Sequence, residues 1–211
     1  MANPIPIAII GIGCRLPGGA NNLDQLWDML AEGRSAWGEV PAERWNWKSF
    51  YHPHTSARES LNFKSGYFLP QDIAAFDARF FGIPAREASG IDPQQRLLLE
   101  TTFEAIENAG IPQESLRGSD TSVHMAVFGQ DYDRMAYKDL QTLHKMHVTG
   151  KGLSILSNRI SYVLDLKGPS MTIDTGCVSK FSTSALEYLS YVECCIVRKL
   201  GCAAPSLPNY S

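Results

Sequence analysis

The sequence predicts an α/β fold, and three observations carry that prediction. Ile5–Ile12 is an almost unbroken apolar run rich in β-branched residues, the pattern of a strand buried on both faces of a sheet. Val123–Phe128 alternates as a strand, and Met171, Thr172 and Ile173 form a third short apolar run. Segments with helical periodicity separate these strands, which is how chains with helices packed on a parallel or mixed sheet are written.

The first strand leads into Gly11-Ile-Gly13-Cys-Arg-Leu-Pro-Gly-Gly19. A dinucleotide fingerprint needs glycine at position 16, where Leu16 stands, and Pro17-Gly18-Gly19 prolongs a loop where a helix would have to open. The nucleotide reading is therefore weak. Asn22 is an N-cap for a helix over Leu23–Ala31, with Leu23, Leu26, Trp27 and Leu30 on one face and Gly33 at its end. Residues 34–70 are irregular and hold Trp37, Trp45, Trp47, Phe50, Tyr51, Phe63, Tyr67 and Phe68, and so long a loop calls for a partner surface or a function. His52-Pro-His54 within it reads as a pair of surface residues.

Phe76–Phe81 is a hydrophobic island closed by Gly82 and Pro84. Asp92-Pro93 opens the clearest helix, with aspartate at the N-cap and proline at the first helical position. Leu97, Leu98, Phe103, Ala105 and Ile106 are its expected buried stripe, and Asn108-Ala-Gly110 ends it. His144-Lys-Met-His147 has the spacing of two ligands on a helix, but with no third ligand a solvated helix end is expected. Gly150-Lys151-Gly152 lacks the earlier glycine and the following Ser/Thr of a phosphate loop. Ser154–Val163 is a helix whose apolar face includes Ile155, Leu156, Ile160 and Val163, and Gly168-Pro169 stops it.

After the last strand come Asp174-Thr175-Gly176, a turn signal, and Cys177. A thiol at a strand-to-helix turn lies near unpaired N–H groups and the positive end of a helix dipole, which favour the thiolate below the usual thiol pKa of about 8.5. Free cysteines are also among the most buried residue types, and Cys177 taken alone reads as a small apolar side chain.

Composition narrows the classes. The 211 residues are 44% hydrophobic and 19% charged, with a net charge of −3 and 19 scattered basic residues, so neither nucleic acid nor a membrane surface is an expected partner. Five cysteines without metal-ligand spacing argue against a disulfide framework or a zinc site and suit a reducing, cytoplasmic setting. No apolar run approaches the ~20 residues that cross a bilayer.

Four segments together resemble a known family: Ile7–Gly18, Gly90-Ile-Asp-Pro-Gln-Gln-Arg-Leu-Leu-Leu-Glu100, Ser154-Ile-Leu-Ser-Asn-Arg-Ile-Ser161 and Gly168-Pro-Ser-Met-Thr-Ile-Asp-Thr-Gly-Cys177. In this order they closely resemble the N-terminal half of a β-ketoacyl synthase (ketosynthase) domain of a polyketide synthase, most like the fungal reducing type. The resemblance runs from residue 5 to Cys177. It implies a thiolase-like fold built of two duplicated α/β halves, of which this chain carries the first, and a homodimer in the full-length member. It also implies that Cys177 is the nucleophile. In that family an acyl chain passes from the phosphopantetheine thioester of an acyl carrier protein to the cysteine, and a malonyl-type extender then loses CO2 and condenses with it. No bound cofactor and no metal are expected.

The family's two histidines lie in later segments that this sequence does not contain. All five histidines here precede Cys177, and none takes a role from the resemblance. After Cys177 the family continues with small residues, whereas Val178-Ser-Lys-Phe-Ser-Thr-Ser184 stands here. Residues 178–211 are thus a divergent tail. Leu186, Leu189, Val192 and Ile196 have the spacing of a helix stripe, ended by Gly201, Pro205 and Pro208. Val178-Ser179 can be written in codons that form a splice donor, so a translated intron or shifted frame is one account of the tail. A drifted end of a truncated gene is the other, and the genomic sequence at that codon decides between them. The expectation is a chain that is poorly soluble and does not condense acyl groups alone, the alternative being a non-catalytic dimerising or acyl-carrying remnant.

Overall fold

The structure, a computed structural model, describes residues 7–54, 59–174 and 193–199. The chain divides into two units, one of Met1–Gly13 with Asp77–Ser211 and one of Cys14–Phe76.

In chain order the regular elements begin with β1 (Ile7–Cys14) and α1 (Leu23–Ala31), followed by β2 (Trp37–Glu39) and β3 (Ser65–Tyr67). Next come α2 (Ala85–Ala88), α3 (Pro93–Asn108), β4 (Val123–Ala126), α4 (Asp131–Ala136) and α5 (His147–Lys151). α6 (Ile155–Leu164), β5 (Ser170–Ile173) and β6 (Glu193–Lys199) complete the set. Among the described residues the strands pair as β1 with β6, β2 with β3 and β4 with β5. No helix of the described residues is long and apolar enough to cross a membrane.

The first unit is organised by α3, α6 and the parallel pair of β4 and β5. Val123 stands opposite Ser170, Met125 opposite Thr172, and Ala126 opposite Ile173. Val123 and Met125 are buried while His124 and Ala126 are half-buried, as the alternation predicts. β1 packs on α3 at very short range. A Cβ added at Gly11 would lie 2.3 Å from the Ala105 carbonyl oxygen, so only glycine lets strand and helix backbones approach this closely. Gly13 serves the same packing, a Cβ there standing 2.4 Å from the Thr101 carbonyl oxygen. Ile9, by contrast, is 45% exposed, so β1 is not covered on both faces as its apolar run suggests.

α3 begins as expected, with Asp92 Oδ1 accepting from the Gln94 N–H at 2.8 Å. Its buried face differs from the expected stripe. Gln95, Arg96, Leu99, Thr101, Thr102, Ala105 and Ile106 are buried, whereas Leu97, Leu98 and Phe103 are half-buried. Thr101 satisfies its hydroxyl within the helix by donating to the Leu97 carbonyl at 2.8 Å, which lets a polar residue sit at 0% exposure.

The second unit contains α1 and the aromatic stretch. Asn22 Oδ1 accepts from the Gln25 N–H at 2.9 Å, and α1 has the limits read from sequence. Its apolar face is largely bare, with Trp27 72% and Leu30 65% exposed. Residues 34–70 are not one irregular loop. β2 and β3 pair antiparallel, Trp37 opposite Tyr67 and Glu39 opposite Ser65. Edge-to-face contacts join Trp37 to Tyr67 (5.2 Å between ring centres), Trp45 to Phe63 (6.3 Å) and Trp47 to Tyr51 (5.5 Å). The Arg44 guanidinium fastens the returning chain by donating to the carbonyls of Leu69 and Gln71 at 2.9 and 3.2 Å.

One expectation for the tail meets a described element. The helical spacing that runs through Ile196 gives way to strand over Glu193–Lys199, paired with β1. Ile196-Val197 is β-branched, and an unpaired edge of β1 outweighs a modest helical preference.

Candidate functional site

Cys177, the one candidate catalytic residue of the sequence, lies outside the described residues. The structure does describe the elements that lead to it. β5 ends at Ile173, and Asp174 follows. Backbone hydrogen bonds bracket the β4–β5 pair, with Val123 N–H donating to the Pro169 carbonyl at 2.8 Å and Val127 N–H to the Ile173 carbonyl at 3.1 Å. Cys177 therefore follows the carboxyl end of a strand held in parallel register, where α/β sheets place their reactive groups.

The side of β5 that carries Ser170 and Thr172 is tied to α6 by side chains. Ser157 Oγ and Thr172 Oγ1 are 2.9 Å apart, and Ser170 Oγ donates to Asn158 Oδ1 at 2.7 Å. Ser157 is 1% exposed and Thr172 half-buried, so the contact lies at the edge of the interior.

The next residue of α6 ties the helix to the start of α3. Arg159 Nε donates to Gln95 Oε1 at 2.6 Å, Nη1 to Glu87 Oε1 at 2.8 Å and Nη2 to the Thr149 carbonyl at 2.9 Å. Gln95 in turn donates from Nε2 to the Gly150 carbonyl at 3.0 Å, and the Asp92 N–H donates to the same oxygen at 2.8 Å. Four helices, α6, α3, α2 and α5, meet at one guanidinium whose side chain is 8% exposed, with the Glu87 carboxylate as counter-charge. Gly150 permits the convergence, because a Cβ there would stand 2.3 Å from the Gly90 carbonyl oxygen. Asp92, 5% exposed, caps α3 beside this network. Burial pushes its carboxyl above the usual carboxylate value, against the opposing effect of its hydrogen bonds from Gln94 and the charges of Arg96 and Lys151.

The histidines are placed as follows. His147 is not a solvated helix end. It is 7% exposed, its Nε2 lies 2.9 Å from Asp133 Oδ1, and its ring meets Tyr137 edge-on at 4.8 Å. Asp133 of α4 and Tyr137 just beyond its end both meet the ring at the start of α5. His144 Nδ1 accepts from the Met146 N–H at 3.1 Å and its Nε2 lies 3.3 Å from Ser89 Oγ. His52 and His54 are exposed neighbours, the His54 N–H donating to His52 Nδ1 at 3.2 Å. Among the described residues no three His, Cys, Asp or Glu side chains are grouped to hold a metal ion.

Sequence reasoning singled out Cys177 and missed Ser157, Thr172, Arg159, Gln95 and Glu87. Four of these five stand in the segments that carry the resemblance. Their roles are invisible there because each partner lies on another element.

Comparison with known proteins bears on the same residues. Residues 5–190 match the family model described as "Beta-ketoacyl synthase, N-terminal domain". The chain is 60% identical over 178 residues to the highly reducing polyketide synthase sdnO of Sordaria araneosa, a match that covers 84% of this chain and 6% of that protein. It is 57% identical over 177 residues to the highly reducing polyketide synthase ltbA of Aspergillus luteorubrus, with 83% and 6% covered. Among solved structures it superposes on the oxazolomycin ketosynthase domain OzmH KS7 of Streptomyces albus with a TM-score of 0.76 and 32% identity, covering 87% of this chain and 31% of that one. The chain thus spans a small fraction of the length of the curated relatives it matches, and about a third of that ketosynthase domain.

Proposed function

The chain belongs to the β-ketoacyl synthase family, with the thiolase-like fold of ketosynthase domains, and we propose that it forms the N-terminal half of a condensing centre whose nucleophile is Cys177. The observation that carries this reading is the placement of β5. A parallel strand, tied to α6 through Thr172 and Ser170, ends shortly before the Asp174-Thr175-Gly176-Cys177 motif.

The thiolate attacks the carbonyl carbon of an acyl thioester on the phosphopantetheine arm of a carrier protein. A new S–C bond forms, the tetrahedral adduct collapses, and the pantetheine thiolate leaves and takes up a proton. The acyl-cysteine is then condensed with the carbanion left when a malonyl-type extender loses CO2. That second step draws on two histidines of the family that stand in no segment of this sequence, so the 211 residues alone load Cys177 but do not condense. The acyl carrier protein is the partner, and the domain pairs as a homodimer in the full-length protein. Residues 5–177 form the ketosynthase portion and 178–211 a divergent tail, a boundary that transcript reads across codon 178 test directly.

Intact and peptide-level mass spectrometry after incubation with an acyl N-acetylcysteamine thioester is the test. One acyl group on Cys177, absent from Cys177→Ala, is expected. Release of CO2 from malonyl carrier protein by this chain would overturn the division of labour, and absence of any acyl group on Cys177 would overturn the nucleophile.

A further inference from the structure

We propose that β6 is a strap: a strand from beyond the family match that occupies the edge of β1 and keeps a second chain from pairing there. The proposal does not depend on the reading of Cys177.

The family match ends at residue 190, and β6 runs from Glu193 to Lys199. The cover of β1 thus comes from the part of the chain that departs from the family. Among the described residues β6 is the one strand hydrogen-bonded to β1, and it also packs against α3. β1 meets the same helix through Gly11 and Gly13, whose added Cβ atoms would stand 2.3 and 2.4 Å from carbonyl oxygens of α3. α3 therefore lies across a two-stranded ribbon, and that ribbon requires β6.

The composition of the two strands says what the strap does. β1 is Ile7-Ala-Ile-Ile-Gly-Ile-Gly-Cys14, eight residues with no charge and no proline. An uncharged strand of this length with an open row of N–H and C=O groups is a template for another chain. One donor is withdrawn locally, because the Ile12 N–H donates to Asn108 Oδ1 at 3.0 Å. β6 is Glu193-Cys-Cys-Ile-Val-Arg-Lys199, with Glu193 at one end and Arg198 and Lys199 at the other. Pairing with β6 replaces a bare apolar edge by a strand that carries charge at both ends, which is how natural sheets discourage edge-to-edge association.

The test uses the whole chain with Val197→Pro, which removes an N–H from the interior of β6, and Val197→Thr, which keeps the N–H and the β-branch. The readouts are peptide-level amide exchange and sedimentation velocity over a dilution series. In the parent, the amides of Glu193–Lys199 should be protected together with those of β1. Val197→Pro should speed exchange in both strands about ten- to a hundredfold, as expected when main-chain groups lose their partners, and should shift the chain toward dimers and larger species. Val197→Thr should match the parent within about twofold. A synthetic peptide of residues 191–201 added to the Val197→Pro chain should restore protection of β1 and reverse the association, and the same peptide carrying Val197→Pro should do neither. Parent amides of Glu193–Lys199 that exchange as fast as an unstructured chain overturn the strap, whether or not the variant folds. A Val197→Pro chain that matches the parent in β1 exchange and in sedimentation overturns it too. If Val197→Pro loses protection in β4 and β5 as well, rescue by the peptide supports the strap and failure to rescue overturns it. None of these outcomes bears on acylation of Cys177.

Discussion

The two units bury different chemistry. In residues 1–13 and 77–211 the buried face of α3 is largely polar, with Gln95, Arg96, Thr101 and Thr102 buried, and a guanidinium joins α6, α3, α2 and α5. In residues 14–76 the chain is held by aromatic pairs whose members stay in reach of water, Trp37 being 59% and Tyr67 60% exposed. A buried polar network has one satisfied geometry and penalises every departure from it. An exposed edge-to-face pair adds only about 0.5–1.5 kcal/mol beyond its burial and leaves no buried polar group unsatisfied when shifted. The unit with the one satisfied geometry is the one that carries β5, the strand ahead of Cys177.

The largest expected effect breaks the polar unit at its centre. Arg159→Met leaves Gln95 Oε1, the Thr149 carbonyl and the Glu87 carboxylate without their donor, and should destabilise the chain by about 3–5 kcal/mol, the cost of removing one partner from a buried pair. A urea midpoint within experimental error of the parent would erase the distinction between the units. The second unit should react far less. Trp37→Ala removes an edge-to-face pair from a half-open surface and should cost about 1 kcal/mol, read as faster amide exchange within β2 and β3 while the first unit is unchanged.

The smallest effect is a slope. An unfolded Asp92 titrates at its ordinary value of 3.8, whereas burial raises the folded value. Between the two the folded state binds more protons than the unfolded state, so stability falls as pH rises through that window. Asp92→Asn keeps an oxygen to cap Gln94 and has no proton to lose, and its stability relative to the parent should climb as pH rises from 3.8 through the raised folded value. An unchanged difference across that range would show that the cap, and not the burial, governs this position.

Local chemistry was legible in the sequence. Asn22 and Asp92 cap α1 and α3 because a side-chain oxygen reaches an N–H two or three residues on, an interaction written entirely within one turn. The alternation of β4 is of the same kind, whereas α6 ends at Leu164 on a left-handed Asp165, ahead of the Gly168-Pro169 stop that the sequence suggests. The pairing of β2 with β3, the polar buried face of α3, the burial of His147 against Asp133 and the strand over Glu193–Lys199 were decided elsewhere. Each depends on a partner far along the chain: Arg159 meets Gln95 across 64 residues and Glu87 across 72. A polar side chain reads as a surface residue until the group that satisfies it is in place, and only the tertiary structure supplies that group. The sequence by itself determined where the helices start, and the tertiary structure decided which distant partners hold the elements together.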